Sequence, residues 1–193
     1  GIGLAISNVA EWGGFNSTFL VASTISGFAA SVYGMSIHAV GFTFMLFLGL
    51  GTATSVRIAE GVGRSEIMRA VNASRLGLAA CLLLGALMAI GMFGYNDALA
   101  TLFVGHEQNF EGRALQPILA QMIALVALVV IFDGLQGVCS MASRAQGLIW
   151  LPSIIHLGSY FLVMIPATII LGVMMERGVQ GMIEGVIIAS ALA

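Results

Sequence analysis

The chain has 193 residues, of which 59% are hydrophobic and only 8% are charged, and its formal net charge is −2. A soluble globular domain carries about 25% charged residues, so this composition excludes an ordinary soluble protein and indicates a membrane protein. All seven basic residues are arginines spread along the chain. Without a clustered basic face, nucleic-acid binding is excluded as well.

Six apolar segments follow one another along the chain. A helix needs about 20 residues to cross a hydrocarbon core about 30 Å thick, and most of the segments approach or exceed that length. The sequence therefore predicts an all-α membrane protein whose single domain, residues 1–193, is a six-transmembrane-helix bundle. The predicted helices cover approximately residues 2–26, 35–58, 76–94, 116–141, 148–175 and 179–193.

The first half of the chain contains two predicted connections of different character. A short uncharged link, residues 27–34, is predicted to join the first two helices. The most polar stretch, residues 57–75, is predicted to connect the second helix to the third. Within the second helix, residues 49–55 are mostly small and favour close packing, because small side chains let membrane helices approach each other.

The second half contains another polar connection, residues 95–113, whose apolar members are predicted to lie in the membrane interface. Pro166 is predicted to kink the fifth helix. The chain begins without Met and stops within its sixth apolar segment, so it is expected to be a fragment of a longer protein.

The arginines predict the orientation, because cytoplasmic loops collect basic residues. By the predicted topology, one side of the membrane holds five arginines and the other side holds two. The first helix is therefore expected to start in the cytoplasm, as in a multi-pass protein of the cytoplasmic membrane. The larger group is Arg57, Arg64, Arg69, Arg75 and Arg144, and the smaller group is Arg113 and Arg177.

Two acidic residues stand inside predicted helices, Glu11 in the first and Asp133 in the fourth. Each is about 15 Å from the cytoplasmic end of its helix at 1.5 Å per residue, so both are expected at a similar depth near the bilayer midplane. Acids at such depth are costly and often belong to an ion or substrate path. Oxygen ligands suit a hard cation, so H⁺ binding or a possible Na⁺ site is predicted. Ser7, Asn8 and Gln136 are predicted to support it, because residues three and four apart share a helix face.

A structural role for the same residues stays open at this point. Each acid could simply form a hydrogen bond with a neighbouring helix. His38 and His156 are interpreted as interhelical hydrogen-bonding residues. The aromatic residues interpreted as anchors at the membrane interface are Tyr33, Tyr95 and Trp150.

No enzyme signature is found, and no cofactor other than a coupling ion is expected. The sequence contains neither His-Glu-x-x-His, typical of metalloproteases, nor Gly-x-Ser-x-Gly, typical of serine hydrolases. An intramembrane aspartyl protease would need two membrane aspartates, but Asp97 is predicted to lie outside the core. The chain is therefore predicted not to be an enzyme.

Three stretches together resemble the multidrug and toxic compound extrusion (MATE) family. Glu11 and Phe15 are similar to the Glu-x-x-x-Phe of the helix that opens the C-terminal half of that family. Residues 49–64 resemble its Gly-x-x-x-Ala-x-Ser-x-Arg-x-Gly-x-x-x-Gly passage. Residues 133–138, which begin Asp-Gly-Leu-Gln, resemble its Asp-x-Leu-Gln stretch, and the following segment, with Pro152 and Pro166, resembles the proline-containing helix that comes next in the family.

The resemblance implies a twelve-helix transporter of two six-helix lobes, of which this chain is most of the C-terminal lobe. It implies H⁺- or Na⁺-coupled export of organic cations or drugs across a bacterial cytoplasmic membrane, with a missing N-terminal lobe as partner and Glu11 and Asp133 as coupling residues. Val129 stands where the sodium-linked group often has Tyr, so the ion stays open. The alternatives are a lipid-linked oligosaccharide flippase of the same architecture and a non-transporting membrane lobe.

Overall fold

A computed structural model describes residues 2–105 and 109–193, which form an all-α bundle of six long helices. A short helix and a two-residue-per-strand antiparallel hairpin lie between the third and fourth long helices. The helices are α1 (Ile2–Ile25), α2 (Gly27–Gly63), α3 (Ile67–Gly94), α4 (Asn96–Val104), α5 (Leu115–Ala145), α6 (Trp150–Met174) and α7 (Gly178–Leu192), and the hairpin strands are β1 (Asn109–Phe110) and β2 (Arg113–Ala114).

Four of these helices, α2, α3, α5 and α6, are both long and apolar enough to cross a membrane. The shortest of them has 25 residues, which at 1.5 Å per residue is about 37 Å. Helix α1 has a comparable 24 residues but a more polar sequence, and α7 is an apolar helix of 15 residues. The chain is thus a multi-pass integral membrane protein, as predicted.

Helix α2 extends beyond its predicted limits at both ends. The predicted link over residues 27–34 is wrong, because the helix starts at Gly27 and a single residue, Ser26, separates it from α1. The Ser26 side chain accepts a hydrogen bond of 3.0 Å from the amide of Ala29, which satisfies one of the free amides at the start of the helix. A serine at this position is therefore enough to end one helix and begin the next.

The polar stretch of residues 57–75 is also mostly helical, which corrects its prediction as a connection. Helix α2 ends at Gly63 and α3 begins at Ile67, so only three residues form the turn. Ser65 takes a positive φ of 58° there. Arginine and glutamate are good helix formers, so the two helices keep their backbone hydrogen bonds after their apolar sequence has ended.

Helix α5 lies at the centre of the bundle and packs against α2, α3, α4 and α7. More than half of its most apolar stretch is buried, the largest share among the four candidate spans. Small residues make the closest approaches between helices. At Gly77 of α3, an added Cβ would collide with the side chain of Thr54 on α2.

Helix α6 is continuous but irregular. It is α-helical at its start and π-helical over Gly158–Met164 and Ile169–Met174, with the four α-helical residues Ile165–Thr168 between the two π segments. Pro166, which has no amide hydrogen, lies in that short segment, so the helix departs from regular geometry around it. The first π segment carries Tyr160 towards α1 and α5.

Candidate cation-exchange site

Asp133 lies in the interior of the bundle and is only 2% exposed. One of its oxygens, Oδ1, accepts two hydrogen bonds, one of 3.1 Å from Nε2 of Gln136 and one of 3.3 Å from the hydroxyl of Tyr160. Gln136 follows Asp133 by three residues on α5 and so shares its face. The carboxyl group is therefore held by neutral donors from two helices.

Tyr160 and Gln136 complete this polar cluster. Nε2 of Gln136 also donates to the hydroxyl of Tyr160, whose side chain is fully buried. Oε1 of Gln136 is buried and has no hydrogen-bond partner among the described residues. Buried polar atoms usually have partners, so this oxygen is a free acceptor beside a carboxylate.

Helix α1 brings Glu11 to the same region. Phe15, one turn further along α1, packs against Tyr160 with ring centroids 5.8 Å apart. A Cβ added at Gly14 would lie 3.0 Å from Cβ of Tyr160, so the two helices approach closely at this level. Glu11 is half-buried one turn before Phe15, on the helix that packs against Tyr160 at this level.

Neither acid has a basic partner in the part of the chain that the structure describes. The ion pairs found there are Arg69–Glu66 at 2.8 Å and Arg177–Glu184 at 2.6 Å. Both lie in more exposed positions than Asp133. A carboxylate without a counter-ion in a low-dielectric interior attracts any small cation that can reach it.

The other predicted supporting residues do not join the acids. Ser7 is buried but lies one turn before Glu11 on α1, nearer the side of the bundle where most arginines lie. There its hydroxyl donates a hydrogen bond of 3.3 Å to Oγ of Ser153 and accepts one of 2.6 Å from Nη2 of Arg144. Asn8 is exposed. It is one residue on from Ser7, about 100° around the helix at 3.6 residues per turn, so it faces away from the interior.

The histidines and one tyrosine differ from their interpretation. His38 is exposed, and its Nδ1 lies 2.7 Å from the carbonyl of Gly34 on its own helix, so it makes no bridge between helices. His156 is buried, and its ring meets that of Tyr160 edge-on at 6.0 Å. Tyr33 is not an interface anchor, because it is fully buried and its hydroxyl lies 2.6 Å from Oγ1 of Thr18.

Tyr160 is the residue that sequence reasoning missed. A tyrosine in a membrane protein is commonly an interface residue, and nothing in the sequence shows which face of an irregular helix it occupies. The available signal was its position four residues after His156, which places two polar groups on one face of an apolar segment. The structure also puts Val129 in the apolar core, so the phenol beside Asp133 comes from α6 and not from α5.

Comparison with known proteins agrees with this architecture. A family model described as MatE matches residues 4–170 of the chain. The chain belongs to the MatE family. This confirms the resemblance drawn from the Glu11, Gly-rich and Asp133 motifs.

Relatives of the chain occur in bacteria and plants. It is 28% identical over 193 residues to the probable multidrug resistance protein NorM of Caulobacter vibrioides, covering 100% of this chain and 40% of that protein. It is 29% identical over 175 residues to the probable multidrug resistance protein NorM of Pseudomonas aeruginosa, covering 89% of this chain and 35% of that protein. It is 26% identical over 157 residues to Protein DETOXIFICATION 18 of Arabidopsis thaliana, covering 81% of this chain and 32% of that protein. The chain thus spans 40% or less of the length of these relatives.

The atoms of the site that could serve as cation ligands are all oxygens. The described residues contain no group of three or more histidines, cysteines and acids that could hold a metal ion, so a site for a tightly held transition metal is not present among them. Two carboxyl groups, a phenol and a free amide oxygen fit a weakly held hard cation or a proton. Such an arrangement can bind and release a small positive charge.

Proposed function

We propose that the complete protein exports organic cations or drugs from the cytoplasm in exchange for H⁺ or Na⁺, and that Glu11 and Asp133 bind the coupling cation. The observation that carries this proposal is the burial of Asp133 in a membrane helix with neutral hydrogen-bond donors and no basic partner among the described residues. Acids placed in this way are costly and typically serve ion paths.

Exchange follows from competition for negative charge. A cationic drug and the coupling cation each neutralise the acid cluster, so binding of one favours release of the other. Transporters with two lobes expose such a site alternately to the two sides by rocking one lobe against the other. In this scheme the chain supplies the coupling acids, and a second lobe, absent from this chain, supplies the opposite wall of the drug path.

Two further observations support the proposal. The names of the NorM relatives describe multidrug resistance proteins. The ends of α2, α3 and α5 that carry most of the arginines meet on one side of the bundle, the side expected to be cytoplasmic. A bacterial cytoplasmic membrane is the location that we propose.

The test is drug efflux by the full-length protein in liposomes, with Glu11→Gln and Asp133→Asn as separate variants. Each should reduce ion-driven efflux at least tenfold, because an amide cannot exchange a cation. Glu184→Gln is the matched control, since that acid is paired with Arg177 and makes no hydrogen bond to Asp133, Gln136 or Tyr160. Normal coupled efflux by both site variants contradicts the proposal.

The same measurement separates the alternative functions. A flippase would move a lipid-linked oligosaccharide and would leave drug efflux undetectable in the wild-type protein. A non-transporting lobe would show neither activity and would bind neither drug nor ion.

A further inference from the structure

Arg144 carries a positive charge that no acid among the described residues neutralises. It lies one residue before the end of α5, and its guanidinium donates to three hydroxyls, those of Ser7 at 2.6 Å, Ser140 at 2.5 Å and Ser153 at 3.4 Å. The ion pairs in the described part of the chain involve other arginines. Serine hydroxyls are neutral, so they fix the direction of the guanidinium without neutralising its charge.

The guanidinium of Arg144 also keeps hydrogen-bonding capacity. An arginine has five N–H groups, and the hydrogen bonds to the three serines use one on Nη1 and two on Nη2. Nε donates to no group of the described residues. Arg144 can therefore bind a further partner, and an anion suits its charge.

Arg144 is on the wall of an open cavity of about 410 Å³ between α2 and α5. It is the charged residue among those that line this cavity, because the other polar ones are Thr52 and Ser55. Their hydroxyls donate to carbonyls of their own helix at 2.7 and 2.8 Å. The rest of the wall is apolar and consists of Val56, Ala59, Met141 and Ala145. The cavity thus combines one cationic group with an apolar surface.

The cavity lies near the arginine-rich ends of α2 and α5. Its wall on α2 ends at Ala59, four residues before the helix ends at Gly63, which is about 6 Å at 1.5 Å per residue. Arg144 is itself in the last turn of α5. This side of the bundle is the one expected to be cytoplasmic. The cytoplasmic leaflet is rich in anionic lipids, and basic pockets between helices on that side bind lipid head groups.

We propose that this cavity binds the phosphate of an anionic phospholipid from the cytoplasmic leaflet. The phosphate contacts the guanidinium of Arg144, and the first carbons of an acyl chain contact Val56, Ala59 and Met141. Arginine suits phosphate because its N–H groups form charge-assisted hydrogen bonds with phosphate oxygens. The site is separate from the coupling acids, because Arg144 follows Asp133 by eleven residues on α5, about 16 Å along the helix.

The mixed wall of the cavity favours a lipid over other anions. Free inorganic phosphate would bind the charge of Arg144 but would leave the apolar wall in contact with water, which is unfavourable. A phospholipid supplies both the phosphate and the hydrocarbon, and the bilayer presents both at this depth. A carboxylate from a second lobe could also neutralise Arg144, and the experiment separates that case from a lipid.

The experiment measures phosphatidylglycerol binding to the delipidated full-length protein by native mass spectrometry. Arg144→Gln should raise the dissociation constant at least tenfold, because it removes the charge. Ala59→Trp keeps Arg144 and its serine partners but fills the cavity, so it should weaken binding to a similar extent. Arg64→Gln is the matched control and should stay within twofold of the wild type, since that arginine is exposed on the same side but does not line the cavity.

Two further measurements identify the ligand. Phosphatidylcholine should bind at least fivefold more weakly than phosphatidylglycerol, because its choline cation is repelled by Arg144. Inorganic phosphate at the same concentration as the lipid should not displace it, because it has no apolar chain.

Several results would overturn the site. Wild-type binding by both Arg144→Gln and Ala59→Trp excludes the cavity, and Ala59→Trp alone decides this if Arg144→Gln does not fold. An equal loss in Arg64→Gln reduces the effect to general attraction by the arginine-rich side. Displacement by inorganic phosphate makes the cavity a site for free anions. If the wild-type protein binds no phosphatidylglycerol, another group, such as an acid of a second lobe, neutralises Arg144.

Discussion

Two buried tyrosines make similar hydrogen bonds in different surroundings. The hydroxyl of Tyr33 pairs with Thr18 at 2.6 Å and joins α1 to α2. The hydroxyl of Tyr160 donates to Asp133 and accepts from Gln136. Both side chains are fully buried, so their stability effects are comparable, but only Tyr160 lies beside an acid.

Replacing each tyrosine with phenylalanine should therefore separate stability from transport. Tyr160→Phe and Tyr33→Phe should each lower the free energy of unfolding by about 1 kcal/mol, the usual net value of one buried hydrogen bond. Under the proposed function, only Tyr160→Phe should reduce coupled efflux, because it removes a hydrogen-bond donor to Asp133, the proposed coupling residue. Thermal unfolding in detergent and efflux by the full-length protein in liposomes check the two effects.

The comparison of the two variants is the decisive part of that experiment. Equal losses of efflux in Tyr160→Phe and Tyr33→Phe would mean that transport follows stability alone. In that case the phenol at Asp133 has no part in ion exchange.

The sequence was sufficient for some residues of the site and insufficient for others. Asp133 follows a long apolar run, and its burial could be predicted from that run alone. Gln136 follows at helical spacing and was found for the same reason. Tyr160 belongs to another helix, α6, and lies in a π-helical segment whose residues point in different directions from those of a regular α-helix. No local sequence pattern therefore predicts its contact with Asp133. Asn8 was assigned to the site because it lies three residues before Glu11, but that spacing does not show which side of the helix points into the bundle.

Helices α2 and α3 approach each other closely where a glycine of α3 lies against a threonine of α2. Gly77 of α3 lies directly against Thr54 of α2, whereas Gly91 on the same helix has open space around it. Thr54 uses its hydroxyl to bond the carbonyl of Leu50 at 2.8 Å, which fixes its side chain. The contact therefore has little room to adjust.

Gly77→Ala should lower the free energy of unfolding by about 1 to 3 kcal/mol, the range for overpacking of a tight contact. Gly91→Ala, its control, should leave stability unchanged or raise it by up to about 1 kcal/mol, because alanine is the better helix former. Thermal unfolding of the two purified variants in one detergent tests this. A Gly77→Ala protein as stable as Gly91→Ala would show that the helices can separate at no cost.

The existence of the helices was easier to predict than their ends. Apolar runs reflect the contact with lipid, so they locate each span in the bilayer. They do not show where a helix stops, because the charged ends of α2 and α3 remain helical beyond the apolar region. The boundary between α1 and α2 is marked by one capping serine, Ser26. The uncharged, glycine-containing sequence that follows it resembles a loop, so the start of α2 was not predicted there.

Helix α1 presents an unusual outer face for a helix in a membrane. Asn8, Trp12 and Asn16 follow one another at spacings of four residues, and all three are exposed. An exposed amide facing lipid is costly, because lipid offers it no hydrogen-bond partner. Between residues 76 and 94 of α3 the exposed residues are apolar, as at Leu83. The two faces therefore differ in chemistry, and under the proposed function we expect the face of α1 to line a water-filled drug path.

Cysteine labelling of the full-length protein should reveal this difference. In a background without Cys81 and Cys139, we expect Asn8→Cys and Asn16→Cys to react with a water-soluble, membrane-impermeant maleimide, because a thiol reacts as a thiolate and needs water. Leu83→Cys, which is also exposed but lies on α3, where we expect lipid contact, should stay unlabelled. Added drug should slow labelling at the two α1 positions if their face lines its path. If Leu83→Cys is labelled and neither α1 position reacts, water contacts α3 and not this face of α1. Drug and coupling cation would then have to reach the acids of α1 and α5 by another path.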